Sequence, residues 1–283
     1  MQIKEVIERI KAYHKGEWEG QAIQEDTTRD KILYGNPDQE CTGIVTTCWA
    51  TADVIKQAAA KGANLIIAHE ALFWNHGDHI DWLQESGNRT FAAKQKLLED
   101  NGIVVWRDHD YIHSGIPMGD GAYTDGIFYG VADKLGWVDY ICPNDIHSPL
   151  HFEIPETTVK DLAEFLVERL HLNGVKILGD LHNTVKKVRI PFHILADAKD
   201  SIIEADQEGI DCFLTMELID FTLAEYIRDS SMLGLNKSVI GMGHFNLEEP
   251  GMEYMVKYIP EALGSDIPCC FIQSGDMYKY VTK

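Results

Sequence analysis

Four places in the chain carry imidazole and carboxylate side chains at spacings that suit divalent-metal chemistry. His69-Glu70 directly follows the apolar run LIIA, so the pair stands at the carboxyl end of an expected strand. Adjacent residues on an extended chain point to opposite sides, so two neighbouring ligands suit two metals if the strand has ended in a bend. Asp108-His109-Asp110 and His113 form a dense patch just after the apolar run IVVW. Glu217 closes the segment CFLTME in the same way. His244 and Glu248, in GMGHFNLEEPG, are four residues apart and share a face if the segment turns helical. Imidazole with carboxylate suits Zn²⁺, Mn²⁺ or Fe²⁺ better than Ca²⁺ or Mg²⁺. Gly241 and Gly243 let the backbone come close to an ion or substrate. His76 and His79, in NHGDHIDW, read as surface, and Trp74, Trp82 and Trp106 as core.

The elements that must position these residues alternate along the chain. Ile3, Val6, Ile7 and Ile10 recur at helical spacing. Strands are predicted over 43–48, 65–68, 103–106, 188–195, 212–215, 238–242 and 269–273. Helices are predicted over 52–61, 90–99, 125–135, from Val159 onward, and over 201–208 and 219–228, with another around Met252–Ile259. Gly62, Gly136 and Gly209 act as helix stops. The alternation points to an α/β protein with largely parallel sheets. Pro143, Pro149 and Pro155 lie in a polar stretch, which places a boundary between residues 1–142 and 143–283, with the C-terminal segment packing back on the first part.

Two segments echo each other. Residues 55–70 and 202–217 match at an offset of 147, pairing Gly62 with Gly209 and Glu70 with Glu217. His109-x-x-x-His113 and His244-x-x-x-Glu248 match at an offset of 135. The echo suggests two pseudo-repeated α/β lobes, each with ligand-type residues at the C-terminal ends of strands, where open α/β sheets hold ligands.

Composition excludes several classes. Among 283 residues, Asp and Glu number 45 against 25 Lys and Arg, a formal charge of −20. That field repels phosphate backbones and anionic lipid, which argues against general nucleic-acid or membrane-surface binding. A small anionic or phosphate-bearing ligand held by a local cation stays compatible. The six cysteines include no C-x-x-C pair, and the sequence carries neither a signal-like apolar segment nor a membrane-length run. A cytoplasmic protein with reduced thiols is expected. No Walker loop, G-x-G-x-x-G or G-x-S-x-G is present.

These motifs together resemble the Nif-three-like (domain of unknown function 34) dinuclear metal centre family, some members of which are labelled GTP cyclohydrolase I type 2. The likeness covers most of the chain. His69-Glu70-Ala-Leu-Phe resembles a family segment His-His-Pro-Leu-Phe/Ile, and His109-Asp-Tyr-Ile-His113 stands where the family has His-Thr-Asn-Leu-Asp. Phe213-Leu-Thr-Met-Glu217 resembles Thr-Gly-Asp/Glu, and Gly243-His244-Phe-Asn-Leu-Glu248 matches Gly-His-x-x-x-Glu. Glu70 replaces a His and His113 replaces an Asp, so three His and two carboxylates are retained. Met216 stands in place of a Gly, and the Gly-rich turn expected near residues 195–198 is missing. The resemblance implies two divalent ions per chain (Zn, Mn or Fe) on His69, Glu70, His113, His244 and Glu248, in a site between two α/β lobes. The resemblance also implies a ring-shaped homohexamer; hydrolase-type chemistry is expected at the site, with His109 or Glu217 as proton shuttle. A non-catalytic metal-dependent scaffold or regulatory binding protein is the alternative.

Overall fold

The structure is a computed structural model that describes residues 1–119, 121–191, 193–194 and 197–281. The chain divides into two compact units, Met1–Gly130 with Gly251–Ser274, and Val131–Pro250 with Gly275–Lys283. Two of the three divisions fall inside helices, Gly126–Leu135 and His244–Leu263, and the third follows Ser274. The proline-rich boundary expected at 142/143 therefore does not coincide with the division. A helix running from one unit into the next carries no break in composition that a sequence could display.

The first unit is built on a five-stranded sheet in the order Cys269–Phe271, Ile44–Thr47, Leu65–Ala68, Val104–Arg107, Ile32–Tyr34. The first four are mutually parallel, and Ile32–Tyr34 runs antiparallel at the edge. Every residue of the three inner strands is buried, as expected for continuous apolar runs covered on both faces. Helix Ala52–Ala60 starts where the Thr51 side chain accepts from the Val54 N–H and is followed by Gly62 at φ +73°. Val54, Ile55 and Ala58 from this helix pack with Val45, Ile66 and Leu98 in one core. The opening helix Ile3–Tyr13 buries Ile3, Val6, Ile7 and Ile10, the face that the spacing predicts.

The second unit holds another five-stranded sheet, ordered Lys176–Leu178, Ser238–Gly241, Cys212–Thr215, Thr184–Arg189, His151–Thr158. Its inner pairings are parallel and both edge pairings antiparallel. The expectation of largely parallel sheets is thus corrected to mixed ones. His151–Thr158 buries only part of one face and contains Pro155, which an edge strand tolerates because it needs no full ladder. Its partner is Thr184–Arg189 rather than a strand over 188–195, whose end at Leu195 lies outside the described residues. The two echoed segments each form a helix, a glycine of positive φ and a fully buried strand, but the sheets around them are built differently.

Within the first unit, helix Gly126–Leu135 meets Gly251 at very close range. A Cβ at Gly251 would lie 2.5 Å from Ile127 Cα and 2.9 Å from its carbonyl oxygen. We expect Gly251→Ala to destabilise the protein by about 1–3 kcal/mol, because overpacking forces the backbones apart. Helix propensity alone predicts a gain of up to ~1 kcal/mol for the same change. The sign of the shift in the urea midpoint therefore decides between the two effects.

Candidate metal centre

The first unit brings three imidazoles together at two adjacent strand ends. Ala68 pairs with Arg107 across the parallel strands, so the residues that follow each strand emerge side by side. After Ala68 the chain bends, with the His69 and Glu70 N–H groups both donating to the Cys48 carbonyl at 3.0 and 2.8 Å. After Arg107 it enters the short helix Asp110–Ser114, which carries His113, with His109 just before it. The His69 and His109 rings stack with centroids 4.6 Å apart, and His113 meets them edge-on at 5.0 and 5.2 Å. Ligand atoms of the three lie within 4.8 Å of one another.

What makes this group fit a cation is the second nitrogen of each ring. His69 Nδ1 lies 3.0 Å from the Asp108 carbonyl oxygen, His109 Nδ1 2.8 Å from Asp110 Oδ1, and His113 Nδ1 2.8 Å from Asp125 Oδ2. An oxygen acceptor at Nδ1 holds the proton there and leaves the lone pair on Nε2, the arrangement that orients metal-binding histidines. Burial, and then the neighbouring His109 and His113, push the His69 pKa well below 6.5, so this ring is neutral at neutral pH, the form that ligates. Burial raises the Asp110 carboxyl, but hydrogen bonds from His109 and the Arg29 amide outweigh it and keep it ionised.

Three residues that the sequence did not single out support the cluster. Asp30 accepts from the backbone N–H groups of His109 and Asp110 at 2.9 Å each and of Tyr111 at 3.3 Å, so it caps the helix from a distant loop. The Thr28 hydroxyl, with its one proton, lies 2.6 Å from Asp30 Oδ2 and 3.0 Å from Asp110 Oδ2, so it sits between the two carboxylates and donates to one or shares its proton between them. Arg107 is fully buried and donates to the His69 carbonyl at 3.0 Å, the His76 carbonyl at 2.9 Å, Asp78 at 3.1 Å and Glu70 at 3.0 Å. Its position beside Asp108-His109 in VVWRDHD was the one available signal.

The second unit gathers a different set. Glu217 follows the strand Cys212–Thr215, and His244 opens the helix His244–Leu263 after Ser238–Gly241. Glu217 Oε1 lies 2.7 Å from His244 Nδ1 and 3.2 Å from His193 Nδ1. Burial pushes Glu217 up, yet the hydrogen bonds from His193 and His244 win and hold its pKa at about 2. Glu248 Oε2 is 3.1 Å from His244 Nε2, the i, i+4 relation expected on a helix. A cavity of about 300 Å³ adjoins Glu217 and His244, walled by Phe245, Tyr278 and Tyr280 with Lys176 at its side. His193 was missed, because it follows a strand whose end the apolar pattern misplaced.

The family model Duf34/NIF3 (NGG1p interacting factor 3) matches residues 1–276. The chain belongs to the Duf34/NIF3 family. It is similar to a "GTP cyclohydrolase 1 type 2 homolog" of Clostridium acetobutylicum, 25% identical over 272 residues that cover 92% of this chain and 93% of the relative. A protein of the same name from Clostridium perfringens is 23% identical over 83% of this chain and 84% of its own. Among solved structures, a Bacillus cereus protein related to NIF3 superposes with a TM-score of 0.67 at 15% identity, covering 99% of each chain, a likeness of fold.

In this Duf34/NIF3 chain the residues expected to bind metal fall out as follows. His69 and His113 share one cluster, and His109, expected as a proton shuttle, stands between them as a third imidazole. His244 and Glu248 adjoin each other, and Glu217, also expected as a shuttle, sits on the Nδ1 side of His244. Glu70 is hydrogen-bonded to Arg107. No described helix is long and apolar enough to cross a membrane.

Removing the Asp30 carboxylate tests the support of the first cluster. Asp30→Ala takes the acceptor from three N–H groups, and we expect a loss of about 1–3 kcal/mol. We also expect divalent-ion affinity to fall by about 10–100-fold, as for other groups that orient ligands. A urea midpoint lowered with unchanged ion affinity would separate stability from ligand positioning and sink the second half of this expectation.

Proposed function

We propose that this protein is a divalent-metal-dependent hydrolase acting on a small phosphate-bearing, nucleotide-like substrate, with two ions of Zn²⁺, Mn²⁺ or Fe²⁺ per chain. The observation that carries this reading is the trio His69, His109 and His113, each held through Nδ1 by an oxygen acceptor. His69, His113 and His109 would hold one ion, and His244 and Glu248 would contribute to the other, with Glu70 available as the further carboxylate of the expected set. Bound divalent ions supply Lewis acidity to a phosphoryl or carbonyl oxygen. Asp108, Asp110 and Asp125 orient the three rings, and Glu217 orients His244. The cavity of Phe245, Tyr278 and Tyr280 suits a planar base, and Lys176 offers a cation to an anionic group. His193, its pKa raised by the hydrogen bond to Glu217, can hold a proton beside that cavity. This reading assigns His109 and Glu217 to ligand and positioning roles rather than to proton transfer.

The experiment is a hydrolysis panel of phosphomonoesters, phosphodiesters and nucleotides, GTP included, with the protein loaded with each of the three ions. Turnover that disappears in chelator, returns with one of the ions and falls at least ~100-fold in His113→Ala is the expected result. Loaded protein inert across the panel would favour a regulatory or scaffolding role. The assembly we propose is a cytoplasmic homohexamer, and light scattering that gives the mass of one 31.9 kDa chain at micromolar concentration would overturn it.

A further inference from the structure

We propose that residues 275–280 are the specificity element of the second-unit cavity, and that Tyr278 and Tyr280 select a ligand carrying a planar heterocycle over a phosphate ester without one. The proposal rests on the reading of that cavity as the ligand-binding part of the site and names what it discriminates. One side of the cavity comes from chain that ends two neighbouring parallel strands, residues 216–219 after Cys212–Thr215 and 242–246 after Ser238–Gly241. The other comes from far along the chain, with Gly275, Met277, Tyr278 and Tyr280.

The returning segment is fixed by one short loop. Asp276 accepts from the Asn173 N–H through Oδ2 at 2.9 Å and from the Tyr278 N–H through Oδ1 at 3.0 Å. The Asn173 side-chain amide donates in turn to the Tyr278 carbonyl at 2.7 Å. The Tyr280 ring packs directly on the next residue, for a Cβ at Gly174 would stand 2.9 Å from Tyr280 Cδ2. The same loop leads into the strand Lys176–Leu178, so it places Lys176 relative to both tyrosines. Asp276 is therefore a positioning residue, and these three hydrogen bonds set where the two rings stand.

The rings are not spent on the core. Tyr278 is 57% exposed and Tyr280 38%, yet both line a cavity of about 300 Å³. An aromatic ring with an exposed face gains by stacking, and every planar heterocycle offers a π-face. This volume is at the small end for ligand sites, so the cavity takes a base-sized group and leaves a phosphate chain outside. Glu217, the carboxylate of the wall, is already committed to His193 and His244. Asn246 donates from Nδ2 to the Met242 carbonyl at 2.8 Å, which fixes its amide as a polar edge of the same cavity. Stacking beside one amide edge recognises a heterocycle and offers nothing to a bare sugar phosphate.

The test uses the full-length protein loaded with Zn²⁺ and compares AMP and GMP with ribose 5-phosphate, which carries the same phosphate without the heterocycle. We expect at least one nucleotide to bind about tenfold or more tighter than ribose 5-phosphate, and Tyr278→Ala and Tyr280→Ala each to remove about tenfold of that preference. Ribose 5-phosphate affinity and Zn²⁺ content should stay unchanged. Tyr278→Phe and Tyr280→Phe should bind the nucleotide like the unmodified chain, because stacking needs no hydroxyl. Asp276→Ala should weaken the nucleotide through the lost anchor, and Asp276→Asn, which keeps one acceptor oxygen, should recover part. Equal or absent binding of all three probes, nucleotide affinity unchanged in both alanine variants, or a parallel loss for ribose 5-phosphate overturns the proposal. A protein that binds a nucleotide through the tyrosines yet turns nothing over keeps this proposal and sinks the hydrolase reading. Nucleotide turnover indifferent to both tyrosines does the reverse.

Discussion

Replacing His113 with alanine is expected to lower the divalent-ion content by about one per chain while the far-UV circular dichroism stays unchanged, since the proposed metal-binding trio loses one of its three imidazoles. The fold should tolerate the change. His113 is partly exposed, at the end of a short helix. Asp125, which holds its Nδ1, still accepts from the Ile127 and Phe128 N–H groups at 2.9 and 3.1 Å and so stays anchored. His69 is the wrong place to begin, because it is fully buried and its loss would mix a cavity cost with a ligand cost. Asp125→Asn gives the control: the ring keeps its place but loses a charged partner, so the ion should remain with an affinity lower by about 10–100-fold. Metal analysis after dialysis, together with competition against a chelator, reads both variants. If His113→Ala binds as many ions as tightly as the unmodified chain, the trio of His69, His109 and His113 is not the metal site.

The second large effect concerns Arg107. Its guanidinium, with no exposed surface, ties Glu70 and Asp78 to the backbone carbonyls of His69 and His76. Removing one partner of a buried ion pair leaves charge uncompensated, so Arg107→Met should cost about 3–5 kcal/mol. Burial already pushes the Asp78 carboxyl up despite the guanidinium, so losing Arg107 should drive it further toward the neutral form. Arg107→Lys should recover little, because a single ammonium cannot reproduce the fork. Adding Glu70→Gln and Asp78→Asn to Arg107→Met should restore part of the loss by removing the stranded charges. Urea denaturation measures all of these. A loss below ~1 kcal/mol for Arg107→Met would mean that the buried hub is a bystander.

Much of the candidate site was legible along the chain. The apolar runs Leu65–Ala68 and Cys212–Thr215 announce buried strands because a strand covered on both faces must be apolar throughout. The ligand-type residues that follow them stand at strand ends for the same reason, and the His244 and Glu248 spacing holds because helical geometry is local. The family, too, was readable from these motifs.

What only the tertiary structure decided was partnership across long separations. The parallel register of Ala68 with Arg107 selects His69, His109 and His113 as one group, and no local pattern encodes a register between strands. Asp30 serves a helix far along the chain, and Cys269–Phe271 returns to pair with Ile44–Thr47. The mixed character of the second sheet comes from edge strands whose polar, half-exposed pattern gives weak periodicity. Periodicity reports how a residue meets its own element's buried face. It does not report which other element supplies that face, because that choice is made by backbone hydrogen bonds and packing between segments remote in sequence.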